Sequence, residues 1–194
     1  MFDSKGRALT TVESLAIPDV KLITPVKHGD HRGYFSEVYN SRALAEAGVD
    51  LTFVQDNQSL SAERGTVRGL HFQSPPMEIA KLIRVLRGSI YDVAVDLRHG
   101  SPTFGRHVAV TLDAAGWQQL LVPAGFAHGF CTLEPNSEVF YKVTNYYAPP
   151  NDLGVRWNDP RFGIDWPVED SEAVLSDKDR VQPMFAELPA YFSI

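Results

Sequence analysis

Short apolar runs separated by turn signals dominate this chain. KLIRVLR, SIYDVAVDL, HVAVTL, QLLVP and EVFYKVT are rich in valine, isoleucine and aromatic side chains, and each is short for a helix. Between such runs stand HGDHRG, SAERG, SPP, RGS, RHGSPTFG, DAAGW, PAG, LEPNS and APPND, whose glycine, proline, asparagine and aspartate residues suit turns. Strands at that spacing predict an all-β fold, a small Greek-key or jelly-roll barrel whose interior holds a packed core or one small ligand. Only SRALAEAG predicts a clear helix, with Asn40 or Ser41 capping its start and Gly48 ending it. From about Asn158 the chain is punctuated by proline and is expected to wrap the barrel.

Alternation along the strands brings the first chemistry. Lys81, Ile83 and Val85 share one face, and so do Val139, Tyr141 and Val143. In RGLHFQ, His71 is expected to line up with Gly69 and Val67. Each of these groups has an ordinary explanation. A strand histidine is commonly a hydrogen-bonded core or rim residue, and a tyrosine on an apolar face commonly packs with its hydroxyl at the edge. Lys81 can snorkel to the barrel mouth, although lysine is seldom fully buried without a partner. Taken together, a base, a cation and a phenol on inward faces favour a site that moves protons.

A second pattern is an incomplete metal motif. Gly65, His71, Gln73, Glu78 and, later, His128 nearly reproduce the spacing by which cupin barrels hold a divalent ion. Gln73 stands where the second histidine of that motif belongs, and an amide is a poor ligand for zinc or iron. A cupin-like barrel with a metal-free site is therefore expected, with a metal held by His71, Glu78 and His128 as the competing reading. Arg32 in DHRGYFSE and Arg68 in RGLHFQ each sit beside a glycine. That arrangement suits a diphosphate, though either arginine alone reads equally as a surface side chain in a turn.

Bulk properties narrow the class. With 194 residues, 44% of them hydrophobic and 22% charged, the chain is an ordinary single globular domain. A formal charge of -6 argues against nucleic acid or an anionic membrane as partner, but leaves room for an anionic small ligand met by two or three cations. Cys131 is the single cysteine, so no internal disulfide forms and a reducing cytoplasm is the simplest home. MFDSKGRALTTVE lacks the apolar centre of a signal peptide, and no run approaches ~20 apolar residues.

In order, DHRGYFSE, FVQDNQS, TVRGLHFQ, AKLIRV, GSPTFG, PAGFAHGF, YKVTNYYAP, VRWNDPRFGIDWP and LSDKD resemble the dTDP-4-dehydrorhamnose 3,5-epimerase family of RmlC type, from about residue 17 to 180. The resemblance implies a cupin-like jelly-roll barrel with a few short helices, after the N-terminal strands and near the C-terminal tail. It implies a barrel core over about 50–147, an N-terminal arm over 1–40 that crosses to a second subunit, and a C-terminal wrap over 158–194. It also implies a homodimer with shared sites, no cofactor, and a dTDP-linked 4-keto-6-deoxyglucose as substrate in rhamnose synthesis. By the same resemblance His71 is the catalytic base, Asp179 its carboxylate partner, Lys81 the lysine of AKL and Tyr141 the tyrosine that begins YKVT. Gln55, Asn57, Arg68 and His128 would contact the nucleotide sugar, and Arg32, Phe35 and Glu37 would complete the partner's site. Two positions depart from the pattern: Ile79 replaces a common glutamine, and Asp152 a common glutamate.

The residue types fit that chemistry. Removing a proton alpha to a ketone leaves an enolate, which needs a base that titrates near neutrality and a charge stabiliser aimed at the oxygen. His71 suits the first role, oriented by Asp179, and Lys81 the second. Inversion needs a proton delivered to the other face, for which the phenol of Tyr141 is the candidate. Three alternatives stay open at this point: a monoepimerase acting at C3 or C5 alone, a metal-dependent cupin, and a catalytically silent sugar-nucleotide-binding protein.

Overall fold

In the computed structural model of the protein, residues 10–194 are described. The first nine residues of the arm expected over 1–40 lie outside them. Strands run in chain order as β1 (Thr11–Ser14), β2 (Lys21–Thr24), β3 (His28–Asp30), β4 (Gly33–Phe35), β5 (Gln55–Ser61), β6 (Val67–Gln73), β7 (Lys81–Arg87) and β8 (Ser89–Asp96). They continue as β9 (Arg98–His99), β10 (His107–Asp113), β11 (Gln119–Val122), β12 (Phe126–Thr132), β13 (Ser137–Val143), β14 (Asp152–Gly154) and β15 (Phe192–Ser193). Two short α-helices join them, α1 (Ser41–Glu46) and α2 (Asp177–Arg180).

Two sheets form the body. The first has the order β1-β2-β11-β7-β13-β5, the second β10-β8-β12-β6-β14. From β5 to β14 the chain changes sheet at every step between long strands except the β8–β10 return, which is a jelly-roll path. Alternation decides what lies between the sheets. Ile83 and Val85 of β7, Val139 and Tyr141 of β13, Ile90 and Ala94 of β8, and Phe126 and Phe130 of β12 meet in one apolar cluster.

Both outer faces are covered as well. Leu82 and Leu121 of the first sheet pack under Leu44 of α1 and under Val49. Leu70, Phe72, Val93 and Val95 of the second pack under Val155, Phe162, Phe185 and Phe192 of the C-terminal segment. That second layer explains why β8 and β12 read as continuous apolar runs rather than alternating ones.

The N-terminal division differs from the expectation. Residues 11–24 are not a projecting arm: β2 pairs with β1 on one side and with β11 on the other, within the same chain. Apolar side chains explain it, since Ile23 is buried in the outer core with Leu82. Of the described N-terminal strands, β3 and β4 alone pair with no strand but each other. The barrel likewise extends past 147 to take in β14. For α1 the cap is Asn40, whose side chain accepts from the backbone N–H groups of Arg42 and Ala43, both at 3.1 Å.

Candidate active site

One cleft at the barrel mouth collects the polar groups. It has two lobes, of about 410 and 350 Å³, and His71, Lys81 and Tyr141 line both. Ser59, Arg68, His128, Ser176 and Asp179 add polar groups to the first lobe. Gln55, Asn57, Asn145, Asp152 and Lys178 do so in the second.

Register explains the grouping. In the first sheet Ile83, Tyr141 and Asn57 form one row across β7, β13 and β5, and Lys81, Val143 and Gln55 the next. On the opposing wall His71 of β6 pairs with His128 of β12, and Gln73 with Asp152 of β14. His71 and Tyr141 therefore rise from opposite sheets, and Lys81 lies diagonally beside Tyr141.

The expected alignment of His71 with Val67 is wrong, and a bulge is the reason. His128 pairs with His71 but Phe130 pairs with Arg68, so β6 spends one extra residue at Gly69–Leu70. Past the bulge Arg68 pairs with the inward Phe130 and lines the cleft, while the buried Val67 packs with Cys131 and Trp157 and only borders the same lobe. Glycine is required there. Gly69 has φ of +129°, and a Cβ on it would lie 2.6 Å from the Cα of Gly129. The inward Arg68 donates to the hydroxyl of Ser61 and to the carbonyl of Leu60, both at 3.0 Å.

Two His–Asp pairs sit in the second sheet's wall. Nε2 of His71 lies 2.5 Å from Oδ1 of Asp179. A carboxylate only accepts, so that contact places a proton on Nε2 and makes Nδ1 the ring nitrogen that Asp179 does not hold. Asp179 is itself fixed, because Ser176 caps α2 by accepting its N–H at 3.1 Å. Burial pushes the Asp179 carboxyl up, but His71, Ser176 and the N–H of Gly69 outweigh it and hold the group below its ordinary range. In the second pair, Nε2 of His128 lies 2.7 Å from Oδ1 of the fully buried Asp92. Burial lowers the imidazole's pKa against the pull of Asp92, favouring the neutral ring.

Lys81 is buried, and its ammonium reaches the carbonyl of His71 at 3.4 Å. Burial brings its pKa down to about 8, while the charges of Asp92 and Asp152 oppose the fall. Burial raises that of Tyr141, which keeps the phenol protonated. Asp152 accepts from Lys178 at 2.5 Å and from the Tyr147 hydroxyl at 3.2 Å, and Ile79 lines the same lobe.

Gln73, at the incomplete metal motif, has a structural role. Its amide donates to the carbonyls of Met77 and Tyr146 and accepts from the N–H of Ala148, tying two loops at the mouth. Among the described residues no three His, Cys, Asp or Glu side chains gather as a metal site. Glu78 does not line the cleft, so the set His71, Glu78 and His128 is not assembled.

Of the residues expected in the site, His71, Asp179, Lys81, Tyr141, Gln55, Asn57, Arg68 and His128 share the cleft. Arg32, Phe35 and Glu37 do not line their own chain's cleft. Arg32 and Phe35 border a separate surface hollow, Arg32 is bonded to Asp30, and Glu37 accepts from Asn40 at 2.8 Å. Sequence reasoning missed Asp92 and Lys178. Asp92 was detectable by alternation, lying between Ile90 and Ala94 on the inward face of β8.

The family model for dTDP-4-dehydrorhamnose 3,5-epimerase matches residues 14–187. A protein of that name from Sinorhizobium fredii is 52% identical over 180 residues, 93% of this chain and 92% of its own. The crystal structure of the Bacillus anthracis enzyme with TDP and PPi bound aligns with a TM-score of 0.87 at 52% identity, covering 90% of this chain and 99% of that one. The Legionella pneumophila dTDP-6-deoxy-D-glucose-3,5-epimerase, in complex with dTDP-4-keto-L-rhamnose, aligns at 0.88 and 40% identity, covering 93% and 95%.

Proposed function

The chain belongs to the dTDP-4-dehydrorhamnose 3,5-epimerase family of isomerases, and on that premise we propose that it inverts C3 and C5 of dTDP-4-keto-6-deoxy-D-glucose to give dTDP-4-keto-L-rhamnose. One observation carries the mechanistic part. His71, Lys81 and Tyr141 border the same cavity, with His71 and Tyr141 on facing sheets.

Nδ1 of His71 takes the proton alpha to the C4 ketone, and Asp179 stabilises the imidazolium that results. The electron pair moves onto the carbonyl oxygen, where the Lys81 ammonium meets the developing charge. Tyr141 then returns a proton to the same carbon from the facing wall, which inverts the centre. Solvent then takes the proton from His71 and returns one to Tyr141, and repetition at the second alpha carbon completes the reaction. Each step is redox-neutral, so the scheme calls on no hydride carrier. His128, with Nε2–H held by Asp92, offers Nδ1 as an acceptor to a sugar hydroxyl. Arg68 supplies positive charge for the diphosphate, and Gln55 and Asn57 supply amides along the β5 wall.

Arg32, Phe35 and Glu37 act in a second subunit's cleft in this reading. The projecting hairpin and the 70% exposure of Phe35 support a homodimer with shared sites. The acidic balance of the chain supports a small-molecule substrate over nucleic acid. No helix among the described residues is long and apolar enough to cross a membrane, and the buried free Cys131 fits a reducing cytoplasm.

The test is incubation with dTDP-4-keto-6-deoxy-D-glucose in heavy water, with deuterium read at each carbon by NMR. Label at C3 and C5 with an L-sugar formed is the expected result, and label at one carbon alone makes the protein a monoepimerase. Folded protein that introduces no label overturns the proposal. With Tyr141→Phe, exchange should persist while inversion falls. Wild-type epimerisation by that variant removes Tyr141 from its role.

A further inference from the structure

Trp117 adopts a backbone conformation that bulky residues avoid. Its φ is +67°, in the left-handed region, where a side chain of this size is strained. The turn that leads into it is built by Asp113, whose carboxylate accepts the N–H groups of Ala115 and Gly116 at 2.8 and 2.6 Å. Such strain persists only where the surroundings enforce it, and here they are the β3–β4 hairpin with its flanking residues and, from β7, the guanidinium of Arg84, 5.1 Å from the centre of the indole.

The indole N–H donates to the hydroxyl of Ser36 at 3.0 Å, and that hydroxyl donates to the carbonyl of Val26 at 2.6 Å, closing the base of the hairpin. The Tyr34 ring meets the indole edge-on, with centroids 4.9 Å apart. The Lys27 ammonium lies 4.2 Å from the centre of the Tyr34 ring and 4.5 Å from that of Trp117. Two residues further on, Gln119 donates to the carbonyl of Val38 at 2.7 Å. Residues 34 and 36 are thus held by Trp117 and residue 38 by Gln119 at the start of β11, while the intervening Phe35 and Glu37 make none of these contacts.

We propose that Trp117 is a positioning residue, which holds the β3–β4 hairpin in the pose that carries Arg32, Phe35 and Glu37 into a second subunit's cleft. The inference rests on the shared-site reading above, and it adds the device that sets the hairpin's direction. The strained turn presents the indole to Tyr34 and Ser36, and the hairpin is built against it. Loss of the indole leaves the catalytic groups in place and loosens the binding contribution made in trans.

Steady-state kinetics of Trp117→Ala should show KM raised about tenfold, the scale of one aromatic pair and one hydrogen bond, with kcat changed little. The decisive measurement uses mixed dimers, made by co-expressing differently tagged chains. Pairing Trp117→Ala with His71→Asn leaves one competent cleft, which has the intact base of the first chain and the well-held hairpin of the second. A wild-type KM there supports the proposal. A KM that stays raised, or a Trp117→Ala homodimer with wild-type KM, overturns it. Pairing Arg32→Ala with His71→Asn tests the underlying reading separately. If that dimer is not rescued, or no mixed dimer forms, the shared site fails whatever Trp117 does. Should Trp117→Ala not fold, Trp117→Phe removes the indole N–H that donates to Ser36 while leaving Ser36 bonded to Val26, and it enters the same comparison, where a rescued KM supports the proposal and an unrescued one overturns it.

Discussion

At the scale of single residues the cleft depends on groups held in ionisation states that their surroundings determine. Lys81 is the clearest case, because burial has brought its pKa to about 8 while Asp92 and Asp152 pull the other way. It is mostly an ammonium at pH 7, and the charge is lost as pH rises through about 8. A reaction that needs this cation therefore fades over that window. Tyr141 does not cause the loss, since burial raises its pKa and the phenol keeps its proton. The expected pH profile of kcat falls on the alkaline side with a midpoint near 8. In Lys81→Arg the guanidinium stays charged, so the fall moves to higher pH, at reduced activity because its geometry differs from that of an ammonium. An alkaline limb that stays in place in Lys81→Arg assigns the titration to another group. Lys81→Ala should lose about 3 kcal/mol of transition-state stabilisation, the scale of removing one oxyanion donor.

At the scale of elements, the sites that period-two reading found and the ones it missed have a common cause. Alternation brought Lys81 and Tyr141 to inward faces because β7 and β13 are regular there, with apolar neighbours at every second position. It failed on β6 because one extra residue at Gly69–Leu70 changes which side chains share a face, and put Arg68 where Val67 was expected. A bulge is set by close backbone approach, which leaves only a glycine as its mark in sequence. Here two glycines meet: a Cβ on Gly69 would lie 2.8 Å from the carbonyl oxygen of His128, and one on Gly129 2.7 Å from that of Arg68. The Gly69 N–H also supports Asp179, so the bulge aims Arg68 and steadies the His71 partner together. Gly69→Ala should cost about 2 kcal/mol or more in stability, through strain at positive φ and forced separation of β6 from β12. Urea unfolding measures the first effect, and kcat/KM should fall further than the remaining folded fraction explains. A variant with wild-type activity per folded molecule shows that the bulge aligns nothing.

At the scale of the whole molecule, the cleft joins parts of the chain that no local pattern links. His71 and Asp179 are 108 positions apart, and the carboxylate arrives only because the C-terminal segment returns across the second sheet. Ordered motifs pointed to that pair by resemblance, whereas strand spacing carried no sign of it. The path of the wrap is fixed by apolar side chains that read in sequence as an unpatterned tail. One corner of this long-range frame is electrostatic. Asp96, fully buried at the end of β8, accepts the N–H and guanidinium of Arg98 and the hydroxyls of Ser101 and Thr103, and Arg98 reaches on to Asp19 at 2.8 Å. Arg98 also begins β9, which pairs with β15 at the C-terminal end. The corner thus ties the β1–β2 loop, the GSPTFG turn and the tail to one carboxylate. Burial raises the Asp96 pKa, but the Arg98, Ser101 and Thr103 bonds prevail and bring it down to about 2, from an ordinary 3.8. A folded-state value below the unfolded one stabilises the fold above the unfolded value, here by about 2 kcal/mol. That contribution is lost as pH falls from about 4 through about 2. Asp96→Asn should be less stable at pH 7, and its stability should change less than that of the parent between pH 4 and pH 2. Urea titrations of both proteins across that range decide it. An unchanged acid slope in the variant shifts the acid sensitivity to other carboxylates, of which Asp179, also held below its ordinary range, is the first to substitute.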